Sequence, residues 1–253
     1  MRGGRGSPAA ARVGSGAGVS GPRFLFVTGT DTSVGKTTVS RALLAAWRAR
    51  DLRVLPLKPI ETGCGEALLA QDALQLAAAA GSDPRTTCLY RYALPVSPES
   101  AARATGAALD PQALLARCLA ISRNAGAENV LIEGAGGLLV PIAPGYTMAD
   151  LAAELGARVL LVARTRLGTL NHSLLSLAEC RRRGLPVVAV VLNRTDATRG
   201  PEDADNPALL RAHGRVEVLG PLPYLPAASL ADLQAAAQAH LPIARLHELA
   251  FSC

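Results

Sequence analysis

Lysine is nearly missing from this chain. Of 26 basic residues only Lys36 and Lys58 are lysines, and the rest are arginines. Each of the two stands beside a glycine or proline, in surroundings that suit a phosphate. An ammonium is a compact point charge that reaches an oxygen a planar guanidinium would crowd. Aromatic residues make up only 3% of the chain. That leaves no stacking platform for single-stranded bases, so the net charge of +6 is not read as a nucleic-acid footprint. Part of that charge sits in an arginine-laden start, and Arg181–Arg183 reads as a helix end, where cations complement the dipole. Histidine is scarce, at four residues, and the five cysteines (Cys64, Cys88, Cys118, Cys180, Cys253) contain no CxxC pair. A disulfide framework and a zinc site are both excluded as expectations, and reduced cytoplasmic thiols are the default. No apolar run approaches the roughly 18 residues of a membrane span.

Residues 1–22 have almost no bulky side chain and no apolar stretch. They lack the h-region of a signal peptide and the amphipathic period of a transit peptide, and a disordered tail is expected there. The whole chain is 49% hydrophobic, which suits one domain with a sizeable core over the remainder, 23–253.

Apolar strands alternate with helical patterns along this remainder. Strands are predicted at 24–28, 53–57, 129–133, 158–163, 186–193 and 216–219. Helices are predicted at 36–50, 66–80, 98–125 with a break at 106–111, 168–183 and near 227–240. Residues 194–206 read as a polar, mobile loop. This alternation predicts an α/β fold whose mostly parallel sheet is flanked by helices on both faces.

A strand, then Gly29-Thr30-Asp31-Thr32-Ser33-Val34-Gly35-Lys36-Thr37-Thr38, then a helix is the context that makes a phosphate-binding loop credible. Glycines let backbone N–H groups turn toward phosphate oxygens, and the helix N-terminus adds partial positive charge. Lys36 is placed for the β- and γ-phosphates of ATP, and the Thr37 hydroxyl for Mg²⁺. The spacing departs from the usual pattern, because Thr30 stands where the first glycine is expected and Gly29 lies one residue earlier. Mg²⁺ prefers oxygen ligands. Glu133, at a strand end before Gly134–Gly137, is a candidate at the sheet edge where ligands bind. Asp72, on a predicted helix, is a weaker one.

Taken in order, these segments resemble the dethiobiotin synthetases. The resemblance runs through TGTDTSVGKTT, LKPIETG, QDAL at Asp72, IEGAGGLLVPI, RLGTLNHSLLS, VVLNR and LGPLPYLP, from about residue 24 to 226. It implies a P-loop domain that converts ATP, CO2 and 7,8-diaminononanoate to dethiobiotin. It implies catalytic roles for Lys36, Lys58, Thr32 and Thr62, and Mg²⁺ ligation by Thr37, Asp72 and Glu133. Nucleotide contacts are implied for residues 29–31 and 33–38, with Asn193 and Pro223 near the adenine. Substrate contacts are implied for Gly136 and Leu167, and for Gly168, Thr169, Leu170 and Asn171, these last four offered from a partner subunit of a homodimer. Where the family often carries Ser-Pro-His this chain reads Ser97-Pro98-Glu99-Ser100, and Glu99 receives no role. The rival is an ATPase switch of the partitioning or metallochaperone type. Those loops usually carry a second early lysine where this chain has Asp31. A corrinoid amidoligase would need a nucleophilic cysteine, and none of the five has that context.

Overall fold

The computed structural model describes residues 21–252. The tail expected over 1–22 lies outside the described residues, Gly21 and Pro22 apart. The strands are β1 (Arg23–Gly29), β2 (Leu55–Thr62), β3 (Cys88–Tyr92), β4 (Asn129–Gly137), β5 (Pro141–Ala143), β6 (Tyr146–Thr147), β7 (Arg158–Arg164), β8 (Val187–Asn193) and β9 (Val218–Leu222). The helices are α1 (Lys36–Arg48), α2 (Gln71–Ala80), α3 (Pro98–Ala104), α4 (Pro111–Asn124), α5 (Met148–Glu154), α6 (Thr169–Arg182), α7 (Glu202–Gly214), α8 (Leu230–His240) and α9 (Ile243–Phe251). Seven strands form one sheet in the order β3-β2-β4-β1-β7-β8-β9. Every neighbouring pair in it is parallel.

Strand β1 shows why the sheet is covered on both faces. Leu25 and Val27 pack into a core shared with α1, α2, α8 and α9. Phe24 and Phe26 point the other way, into a core with α3, α4, α5 and α6. A strand buried on both faces has no polar side, so it reads as a continuous apolar run. From β1 the chain passes through α1 to β2 on one side. It returns to β4 and then crosses to β7 on the other side of β1. This reversal opens a crevice at the carboxyl ends of the central strands, where open α/β sheets place ligands.

Three predictions are corrected. The helix expected from residue 66 begins at Gln71. Gly65 and Leu68 take positive φ, which turns the chain before the helix can start. The strand expected to end at Leu57 runs on to Thr62. Pro59 does not end it, because the register with β3 pairs Lys58 and Ile60 and steps over the proline. The loop expected over 194–206 gives way to α7 at Glu202. Its polar residues Glu202, Asp203 and Asp205 are a helix's acidic first turn, complementing the dipole. Helix α9 also went unpredicted. It docks on α1, where Trp47 is fully buried, donates to the Ile243 carbonyl at 3.1 Å and meets His247 and Phe251 edge-on.

Candidate active site

The loop between β1 and α1 is shaped by two glycines. A side chain at Gly29 would stand 2.7 Å from the Asp31 carbonyl and 2.8 Å from Val34. The loop therefore closes tightly over Gly29, and the shifted glycine spacing is explained. Gly35 caps α1 with φ 92 and brings no side-chain acceptor, and no acidic residue lies in the first turn. The opening amides of α1 are thus left for an anion. Lys36 folds back over the loop and donates to the Asp31 carbonyl at 3.2 Å. Burial, followed by the charge of Lys58, lowers its pKa to about 8.

Lys58 is buried at the centre of a charged cluster. Its Nζ lies 2.7 Å from Glu133 Oε1 and 3.0 Å from Asp72 Oδ2. Burial disfavours its charge, but Glu133 and Asp72 outweigh that and hold the ammonium above its usual range. The Thr37 hydroxyl donates to the same Glu133 oxygen at 2.8 Å. Glu133 is fully buried, and its Oε2 has no hydrogen-bond partner among the described residues. A buried carboxylate oxygen without a donor is costly, and a cation is one way to satisfy it. With Thr37 and Asp72 the donor set is entirely oxygen and sparse, which suits Mg²⁺ with several retained waters.

Of these residues Lys36, Thr37, Lys58 and Asp72 share one cleft of about 370 Å³, and the fully buried Glu133 does not line it. Thr32, Ser33, Gly35–Thr38, Lys58, Thr62, Asp72 and Gly136 line it, together with Glu61. Gly136 has φ +68, and a side chain there would strike Val140. Gly29, Thr30, Asp31 and Thr32 also line an adjoining hollow of about 420 Å³, with Leu139, His172 and Leu175 beyond them. Asn193, at the end of β8, is buried against the loop. Its Nδ2 donates to the Val34 carbonyl at 3.1 Å, and its Oδ1 is unpaired among the described residues. Pro223 follows β9, whose Leu222 lies in register with Asn193. Leu167–Asn171 do not line the cleft of their own chain. They form the start of α6, capped by Gly168 with φ 92 and no side-chain acceptor.

Glu61 was not singled out from the sequence. It accepts the Asp72 and Ala73 amides, each at 2.9 Å. Burial lifts its carboxyl above the usual range, and the two amides oppose that. A hint lay in the sequence, because the residue before Gln71 is alanine, which cannot cap a helix.

Curated relatives decide the family. The "ATP-dependent dethiobiotin synthetase BioD" of Anaeromyxobacter dehalogenans (strain 2CP-C) is 46% identical over 211 residues, covering 81% of this chain and 90% of the relative. The protein of that name from Aromatoleum aromaticum is 40% identical over 227 residues, covering 87% and 98%. The chain belongs to the dethiobiotin synthetase family. The family described as an AAA domain matches residues 23–231. Among solved structures, a MinC:MinD cell division complex from Aquifex aeolicus has a TM-score of 0.51 at 15% identity, covering 85% of this chain and 86% of that one. A ParA family ATPase from Chlorobium tepidum has a TM-score of 0.50 at 14% identity, covering 90% and 98%. At that identity they show the P-loop α/β fold alone. The dethiobiotin synthetase relatives, close in sequence, are what set this chain apart from those two neighbours of the same fold.

Proposed function

We propose that this chain is an ATP-dependent dethiobiotin synthetase, a ligase of biotin biosynthesis. ATP, CO2 and 7,8-diaminononanoate become dethiobiotin, ADP and phosphate. The observation that carries the reading at the site is the cluster of buried Lys58 and Glu133 with half-buried Asp72 and Thr37, beside Lys36 and the open start of α1. Phosphoryl transfer demands positioning and charge neutralisation above all.

One substrate amine takes up CO2 as a carbamate. A carbamate oxygen attacks the γ-phosphorus and ADP leaves, giving a carbamic–phosphoric anhydride. The second amine attacks the carbonyl carbon, closing the ureido ring and expelling phosphate. Lys36 and the amides of the loop hold the β- and γ-phosphates. Lys58 steadies the carbamate and the moving phosphoryl group, both anionic. The Thr32 and Thr62 hydroxyls bind the carbamate and amines. Thr37, Asp72 and Glu133 would hold Mg²⁺, which when bound neutralises phosphate charge. Asn193 and Pro223 border the adenine. The unpaired Asn193 Oδ1 is the acceptor available to an exocyclic amine.

The same reading makes the enzyme a cytoplasmic homodimer. Among the described residues no helix is long and apolar enough to cross a membrane, and Cys64, Cys88, Cys118 and Cys180 are buried free thiols. Leu139 and Leu175, which line the adjoining hollow, are 57% and 62% exposed, and Leu167, just before α6, is 84% exposed; apolar exposure of this kind marks an interface. The start of α6 in one protomer then offers its uncapped amides to the carboxylate tail of substrate in the other.

Phosphate release from Mg·ATP tests the proposal. Release is expected to need 7,8-diaminononanoate and bicarbonate together. Steady hydrolysis indifferent to both would refute it.

A further inference from the structure

Helix α2 has no cap of its own. Ala70 stands at the cap position and brings no side-chain acceptor, yet the opening amides of any helix need partners. They find them on another element. Glu61 of β2 accepts Asp72 N–H with Oε1 and Ala73 N–H with Oε2. A buried carboxylate must be compensated, and here two amides and the positive end of the helix dipole do it. The start of α2 is therefore fixed to β2, where α1 and α6 leave their first amides open.

The residue gripped in this way is Asp72. Its amide is held by Glu61 while its carboxylate meets Lys58, three residues earlier on the same strand, at 3.0 Å. Asp72 is 38% exposed at its side chain. The backbone anchor is what fixes it, since a half-exposed aspartate in a first helical turn is otherwise free to fray with the helix end.

We propose that Glu61 is a positioning residue for phosphoryl transfer: by capping α2 from β2 it sets the Asp72 carboxylate against Lys58 on the metal side of the cleft. This rests on the reading of Asp72 as a residue of the Mg·ATP site. Glutamine is nearly isosteric but keeps only one acceptor and turns a donor on the second amide.

The test measures binding of a β,γ-methylene ATP analogue to the full chain by calorimetry, in Mg²⁺ and in EDTA. The proteins are wild type, Glu61→Gln, Asp72→Asn and the double variant. Each single change is expected to weaken binding about tenfold in Mg²⁺ and by less than about twofold in EDTA, with the double variant no worse than Asp72→Asn. Equal loss in both media overturns the proposal, as does additivity in the double variant. A rise in diaminononanoate KM with analogue affinity unchanged overturns it in favour of direct substrate contact. Loss in Asp72→Asn but not in Glu61→Gln removes the positioning role alone. Indifference of both removes it together with the Asp72 assignment. Glu61→Ala is expected to lower the melting temperature as well, so the glutamine variant carries the test.

Discussion

At the scale of single residues, the two lysines differ in what holds them. Lys58 and Glu133 are a buried pair. Removing one partner of such a pair leaves an uncompensated charge, which costs about 3–5 kcal/mol. Lys58→Met is therefore expected to lower the unfolding midpoint sharply in a denaturant titration. Adding Glu133→Gln should recover most of that loss. The sequence pointed to both residues, but not to their contact, because 75 positions separate them and no local pattern encodes a pairing across a sheet. Lys36 is different. Its folded value of about 8 lies below the ordinary 10.5. Between those values the unfolded chain holds a proton that the folded protein has lost, so this group's contribution to stability rises with pH across that window. Bound phosphates favour the ammonium, so nucleotide binding has the opposite sign. Affinity for ATP is expected to fall above about pH 8, by up to about tenfold per unit, with proton uptake on binding. Calorimetry in buffers of different ionisation enthalpy reads that uptake. Affinity flat through pH 9 would contradict it.

Among the elements, the phosphate loop is where backbone shape and function meet most tightly. Gly35 has φ 92, and a side chain there would lie 2.0 Å from Asn193 Nδ2. Gly35→Ala is expected to weaken nucleotide binding by about a hundredfold or more, since both strain and collision act on the loop. Asn193→Ala in the same chain should restore part of the lost stability, because the collision is relieved, but not the affinity, because the strained φ remains. Melting curves and analogue titration separate the two. This loop was legible beforehand, since glycine, lysine and threonine at fixed spacing between a strand and a helix encode it locally. So were β1, β4, β7 and β8, whose apolar runs are bounded by polar or glycine-rich segments. The start of α2 was not, because its cap comes from another strand. The start of α7 was hidden by residues that suit a loop and a first helical turn equally well. The amphipathic spacing of Ile243, Leu246, Ala250 and Phe251 was present in the sequence. What makes it a helix is Trp47, buried on α1 and waiting for that face.

At the scale of the whole molecule, a doubly covered parallel sheet puts both lysines and both carboxylates at one edge, and leaves leucines exposed beside them. In the homodimer proposed above, those leucines would be covered by the partner protomer. Leu175→Glu is expected to convert a particle of twice the protomer mass into one of protomer mass in light scattering. It should also raise the KM for the diamine about tenfold while nucleotide affinity stays put. A variant that stays dimeric with unchanged kinetics would place the interface elsewhere. Family membership came out of several motifs in order rather than from the fold, which the MinD and ParA structures share.

The central claim is that the transferred phosphoryl group passes to a carbamate oxygen made from CO2. The most direct measurement follows oxygen from ¹⁸O-labelled CO2 during turnover of ATP with 7,8-diaminononanoate, quenched before exchange with water. The mechanism predicts one labelled oxygen in the released phosphate and one in the ureido carbonyl of dethiobiotin. Phosphate that carries no label, with its new oxygen drawn from water, would contradict it.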